Sequence, residues 1–299
     1  MVDLDFDALR EARRDKPAVV AAKLTVRQRR PVARGDKKLF FIAADHPARG
    51  ALGVRRDEMA MANRYDLLER VALALSRPGV DGLLGTADIL EDLALLGVLD
   101  DKLVVASMNR GGLQGASFEL DDRFTAWDIA GAVGAGVDFA KLLLRIDLAD
   151  PGSVDTLATA ARAVTEAAIA GLPIMLEPFI CSRVDGILQN DLTTEAVIKS
   201  VAIASGLGSS SSYSWLKLPV VPEMERVMLA TTLPTLLLGG DPSLSPDEIF
   251  SPWRSALGLP GVHGLVAGRT LLYPPDGDVA AAVDVAASLV HSSPLDAGG

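Results

Sequence analysis

Charged residues stand inside runs of Val, Ile, Leu and Phe where a buried strand has no reason to carry them: Asp45, Lys141, Arg145, Glu177 and Lys217. A charge so placed is costly unless it is paired or functional. Two lysines and one glutamate point to a particular chemistry. A second ammonium and a dry wall lower a lysine's pKa, and the neutral amine attacks a carbonyl carbon. A carboxylate alongside can carry the protons that such an attack releases and consumes. The plainer alternative is an internal ion-pair network with no chemistry.

A second constellation is Leu238-Gly239-Gly240 together with Gly264-Leu265-Val266-Ala267-Gly268-Arg269. Glycine lets backbone N–H groups approach an anion, and an arginine such as Arg269 can pair with a phosphate bidentately. Each glycine alone is also a plain turn residue; both groups, after consecutive strands, mark a phosphate cradle. His46, next to Asp45, and Arg110, in Asn109-Arg110-Gly111-Gly112, are further candidates for touching substrate.

The elements that must position these residues alternate along the chain. Strands are expected at 39–44, 80–84, 103–107, 137–146, 173–178, 213–219, 235–238 and 262–267. Amphipathic helices are expected at 57–76, 86–97, 124–134, 151–171, 193–206, 222–231, 246–257 and 276–291, as in the spacing of Leu68, Val71, Ala72 and Leu75. Thr86 and Ser245 read as N-caps, and Gly171 and Gly206 as helix stops. Strands apolar on both faces belong to a parallel sheet covered by helices. Repeated strand–helix units in 299 residues predict one (β/α)8 barrel, with 1–36 as a helical extension over its N-terminal mouth and 292–299 as a frayed tail. An open doubly wound sheet is the alternative. In the barrel, Asp45, Glu177 and Lys217 fall near the C-terminal strand ends, where barrel enzymes keep their chemistry, and the cradle falls after the last two strands.

Composition excludes several other classes. Lys and Arg total 29 against 39 Asp and Glu, a net charge of −10, which argues against nucleic acid or an anionic membrane as partner. The one basic run, Arg27-Gln28-Arg29-Arg30, reads as a solvated helix end. The single cysteine, Cys181, excludes an internal disulfide and a cysteine zinc cage. His46, His263 and His291 are too scattered for a metal site, so no metal or organic cofactor is expected. Gly131, Gly134 and Gly136 lack the dinucleotide-binding spacing. Residues 1–14 have no signal-like apolar core, and no apolar run reaches the ~18 residues of a membrane span. The expectation is a cytoplasmic homo-oligomer.

At these same residues the chain resembles the class I, Schiff-base aldolases of the deoxyribose-phosphate, archaeal-type fructose-bisphosphate and tagatose-1,6-bisphosphate aldolase superfamily. Phe139–Asp147 is similar to the fourth-strand segment of the tagatose-bisphosphate enzymes that holds an active-site lysine. Pro173–Pro178 is similar to the strand with their catalytic glutamate. Ser214–Pro219 resembles the strand with the Schiff-base lysine, and Phe41–His46 the first-strand Asp motif of the fructose-bisphosphate branch. Leu238–Asp241 and Val266–Arg269 resemble its two phosphate loops. The resemblance runs from Lys37 to His291.

It implies that Lys217 forms the imine, Glu177 shuttles protons, Lys141 tunes Lys217 and orients hydroxyls, and Asp45 assists carbinolamine dehydration. The chain departs at Arg145, where related enzymes often carry a tyrosine. An arginine cannot act as an acid at neutral pH, so proton transfer falls to Glu177 or a water, and Arg145 is left to bind an anionic group. That suits a phosphorylated sugar acid. A branch linked to inositol breakdown implies 5-dehydro-2-deoxy-6-phosphogluconate as candidate substrate, giving dihydroxyacetone phosphate and malonate semialdehyde. The rivals are a metal-dependent barrel aldolase and a non-catalytic barrel that binds sugar phosphates.

Overall fold

The computed structural model describes residues 4–32, 35–108, 112–240 and 242–291. Its strands are β1 (Leu39–Ala43), β2 (Gly82–Gly85), β3 (Leu103–Ser107), β4 (Phe139–Ile146), β5 (Ile174–Val184), β6 (Ile187–Asn190), β7 (Ser214–Leu218), β8 (Thr235–Leu238) and β9 (Val262–Ala267). Eight of them are parallel, in the order β4-β3-β2-β1-β9-β8-β7-β5. The sheet closes through β4 and β5, which pair from Ala140↔Ile174 to Ile146↔Ile180. That closure makes the fold a (β/α)8 barrel and removes the open-sheet alternative.

The helices are α1 (Phe6–Asp15), α2 (Pro17–Lys23), α3 (Arg64–Ser76), α4 (Ala87–Leu95), α5 (Ile129–Gly134), α6 (Gly152–Ala170), α7 (Thr194–Ser205), α8 (Met224–Met228), α9 (Pro246–Leu257), α10 (Arg269–Leu272) and α11 (Val279–His291). Several are shorter than their apolar periodicity suggests. The Asn63 side chain accepts from the backbone N–H groups of Tyr65 and Asp66, and so starts α3 at Arg64 rather than Asp57. Ser245 and Glu248 form a reciprocal capping box on α9, and Gly171 ends α6 in a left-handed turn at φ 68°.

Successive strand residues face opposite ways, which gives two cores. Phe41, Val105, Phe139, Met175, Leu236 and Val266 fill the barrel interior. Phe40, Ile42, Val104 and Leu176 face the helical layer. Among the described residues no helix is long and apolar enough to cross a membrane.

The basic run after α2 is not a solvated helix end. Arg27 and Arg30 are buried, and the segment crosses the N-terminal mouth of the barrel, where Val32 packs against the inner core. Arg27 pairs with Asp138 at 2.6 Å, Arg29 with the same carboxylate at 2.7 Å, and Arg30 with Asp81 at 2.5 Å. Each aspartate is needed where it stands. Asp81 accepts the backbone N–H of Phe40 and Asp138 that of Val104, so both carboxylates are fixed inside and require cations. The extension helices lie to one side, where Arg13 reaches Glu91 and Asp92 on α4.

Candidate active site

At the opposite mouth, the C-terminal strand ends bring Asp45, Lys141, Glu177 and Lys217 to one cavity of about 480 Å³. Glu177 bridges the two lysines. Its Oε1 accepts from Lys217 Nζ at 2.5 Å, and its Oε2 lies 2.5 Å from Lys141 Nζ. Lys141 also donates to Asp45 Oδ2 at 3.4 Å, and Ser107 donates to the same oxygen at 2.8 Å. All four charged residues are buried.

The strand register orders them by depth. Lys141 is level with Met175, two residues before Glu177 on β5. Leu216 is level with Leu176, so Lys217 and Glu177 share the next inward-facing layer towards the mouth. Lys141 is thus the deeper amine, held between two carboxylates, and Lys217 is the shallower one.

Burial alone would push the Glu177 carboxyl up. The ammonium charges and hydrogen bonds of Lys141 and Lys217 override that and hold it well below the usual carboxylate range. His46, in a single 3₁₀ turn (His46–Arg49), is driven the other way: burial first, then the positive charges of Arg269, Arg49, Lys217 and Lys141, keep its imidazole neutral well below the ordinary value.

The cradle residues Gly239, Gly240, Gly268 and Arg269 line the same cavity. Gly268 has a structural cause as well, since a Cβ there would collide with the carbonyl oxygen of Ala43. Gly240 has φ +70° and open space where a side chain would be, so its backbone is accessible from the cavity. Arg269 donates to the Gly53 carbonyl at 3.3 Å. Arg145 is on the cavity wall, with its guanidinium engaged by Asp122 at 2.6 Å and by Glu119. Arg110 lies outside the described residues, as does the tail 292–299. Among the described residues no three His, Cys, Asp or Glu side chains gather as a metal-ligand set.

A family model described as Cgl0159-like matches residues 37–287. The chain belongs to the Cgl0159-like family. The crystal structure of Cgl0159 from Corynebacterium glutamicum is 64% identical over 96% of each chain, with a TM-score of 0.93. An archaeal fructose-1,6-bisphosphate aldolase, solved with its catalytic lysine covalently bound to the carbinolamine intermediate of the substrate, is 18% identical. It covers 91% of this chain and 99% of its own, with a TM-score of 0.66. A fructose-bisphosphate aldolase from Slackia heliotrinireducens is 16% identical over 97% of this chain and 94% of its own, with a TM-score of 0.60. The likeness to these two aldolases is one of fold. No curated protein matches the chain significantly.

Sequence reasoning missed three parts of the site in this family member. Ser107, the last residue of β3, orients Asp45. Arg49 lines the cavity one 3₁₀ turn after His46, and that i, i+3 spacing was its available signal. The hairpin of β5 and β6 is the third, with Phe179, Leu188 and Asn190 walling the cavity. Arg183 ties it to the Ser117 carbonyl on the facing loop.

Proposed function

We propose that the protein is a Schiff-base aldolase that cleaves a phosphorylated ketose or keto sugar acid. The observation that carries this reading is Glu177, buried at the cavity with one oxygen on each of two lysines. Unlike the two-cation carboxylate at the N-terminal mouth, where Arg27 and Arg29 both hold Asp138, this one carries amines that can lose a proton and that line a substrate-sized cavity, which supports chemistry. The aldolase-like fold and the adjoining glycine–arginine cradle agree with it.

In this mechanism Lys217 is the nucleophile. Glu177 Oε1 takes its proton, and the amine adds to the substrate ketone. Removing that ammonium charge removes one of the two cations that hold the Glu177 carboxyl down, so the carboxyl can now keep the proton and pass it on. It delivers the proton to the carbinolamine hydroxyl, which leaves as water with Asp45 and Ser107 alongside. The protonated imine then draws in the electron pair of the breaking C–C bond while Glu177, a carboxylate again after the dehydration, takes the proton of the β-hydroxyl as the aldehyde departs and returns it to the enamine carbon. Protonation of the enamine carbon and addition of water to the imine release the ketone product and free Lys217. Lys141 stays charged between Asp45 and Glu177 and orients hydroxyls. The candidate substrate is 5-dehydro-2-deoxy-6-phosphogluconate, cleaved to dihydroxyacetone phosphate and malonate semialdehyde.

Borohydride added with dihydroxyacetone phosphate is expected to leave a mass increment on the peptide containing Lys217. Lys217→Ala should abolish trapping and turnover; Lys141→Met should lose turnover yet form some imine at raised pH. An adduct on Lys141 alone would exchange the two roles, and none on either lysine would end the Schiff-base reading.

A further inference from the structure

Arginines at the rim of the cavity differ in what occupies them. Arg145 is satisfied from within the protein: Asp122 meets its Nε and Nη2, and Glu119 supplies both its carboxylate and its carbonyl. Arg49 is not. It lines the cavity, yet its guanidinium forms no hydrogen bond or ion pair with any described residue. Its surroundings are unfavourable for a cation, because burial and the nearby Arg145 charge both work against it. An arginine does not escape by shedding its proton, so a half-buried guanidinium calls for an anion. The glutamates and aspartate near it do not meet it: Asp122 and Glu119 are committed to Arg145, and Glu177 to the two lysines.

The location of Arg49 says which part of a substrate it reads. Its turn is tied to the β3–α5 loop, since the Arg49 carbonyl accepts the backbone N–H of Gln114. That loop carries Glu119 and Asp122, whose charges reach Arg49, as does that of Glu177. The cradle glycines follow β8 and β9 instead. His46 stands between, within the fields of both Arg49 and Arg269.

We propose that Arg49 is the receptor for a second anionic group, so that the cavity takes a substrate negatively charged at both ends. The phosphate goes to Gly240, Gly268 and Arg269, and a terminal carboxylate or second phosphate goes to Arg49. This deepens the Schiff-base reading and rests on it for the orientation of the substrate. Arg49 is a specificity residue here, taking no part in proton transfer. It assumes the anion-binding part that the sequence suggested for Arg145, whose donors the protein itself uses.

The test is binding by calorimetry to the full-length chain of three unreactive probes that differ at one end: 6-phosphogluconate, glucitol 6-phosphate and glucitol 1,6-bisphosphate. The wild type is expected to bind one or both of the doubly anionic probes about 10- to 100-fold more tightly than glucitol 6-phosphate, the increment of a charged hydrogen-bonded contact. Which of the two gains more tells carboxylate from phosphate. Arg49→Met should reduce the preference to within about 3-fold while changing glucitol 6-phosphate affinity little, and Arg49→Lys should keep part of it. Equal weakening of all three probes would place Arg49 in the phosphate cradle and overturn the proposal, as would a wild type with no preference. Borohydride trapping of dihydroxyacetone phosphate on wild-type Lys217 reads the aldolase mechanism separately. Absent trapping with the double-anion preference intact would leave Arg49 assigned and remove the Schiff base.

Discussion

Glu177 Oε1 and Lys217 Nζ lie 2.5 Å apart in a layer of the barrel that both buried side chains reach from neighbouring strands. Glu177→Gln keeps the shape and removes the charge. Turnover is expected to fall by about 10²–10⁴, the usual worth of a positioned proton carrier. Stability at pH 7 should fall too, by up to about 3–5 kcal/mol, because two buried ammonium groups lose their counter-charge. The pH dependence has a definite sign. The folded-state carboxyl is held below its ordinary value of 4.5, so its stabilisation is complete above that pH and is lost as pH falls through the folded value. Urea midpoints of wild type and variant should therefore converge below pH 4.5; a gap that stayed constant to pH 3 would contradict the assignment.

Arg269 and the glycines of the cradle face the cavity that holds the lysines. Arg269→Ala is expected to raise KM for a phosphorylated substrate about 10- to 100-fold, corresponding to ~1.5–3 kcal/mol, with a smaller change in kcat. Steady-state kinetics would check this, and an unchanged KM would take Arg269 out of the phosphate site.

His46 gives a second pH effect, of opposite origin. Its folded-state pKa lies well below 6.5, so below pH 6.5 the unfolded chain takes up a proton that the folded chain refuses, and stability declines as pH falls. His46→Gln removes that proton uptake. Between pH 6.5 and 5 the variant should lose roughly 1–2 kcal/mol less than the wild type, measured by urea unfolding. Parallel curves would mean that the imidazole titrates normally.

Cys181 is buried beside the cavity wall, and burial pushes its thiol up to about 12. Thiolate is the reactive form, so a thiol reagent at pH 8 should label the native protein only at the rate of opening, with free-cysteine kinetics restored in denaturant. Fast labelling of the native state would show that the β5 end opens readily.

Barrel strands were legible where apolar runs are bounded by charge or glycine: Leu103–Ser107, Thr235–Leu238 and Val262–Ala267 stand where the sequence puts them. Lys141, Glu177 and Lys217 were legible for the same reason, since alternation along a strand fixes the face. The β5–β6 hairpin was written in the sequence and passed over. Asp185-Gly186, at φ 51° and φ 80°, is the two-residue turn that joins antiparallel strands, but it follows a strand already complete as a barrel unit. The tie between Arg145 and Asp122 could not be read, because it joins β4 to an irregular loop with no periodicity of its own. The basic run 27–30 was misread because its partners, Asp81 and Asp138, are isolated in sequence and meet it only once the barrel has closed.

That N-terminal closure can be separated from the chemistry at the other mouth. Arg27 and Asp138 are almost fully enclosed, with side-chain exposures of 2% and 3%. Arg27→Met leaves the carboxylate buried, with Arg29 as remaining cation, so the cost is expected at about 3 kcal/mol, the lower part of the range for a broken buried pair. Adding Asp138→Asn should recover part of that loss, because the unpaired charge is then gone while an amide oxygen remains for the Val104 N–H. KM should be the same in all three proteins, as the substituted side chains lie across the barrel from the cavity. A single variant that unfolded cooperatively at lower urea with an intact KM would establish the mouth as a structural closure; a raised KM would instead couple it to the site.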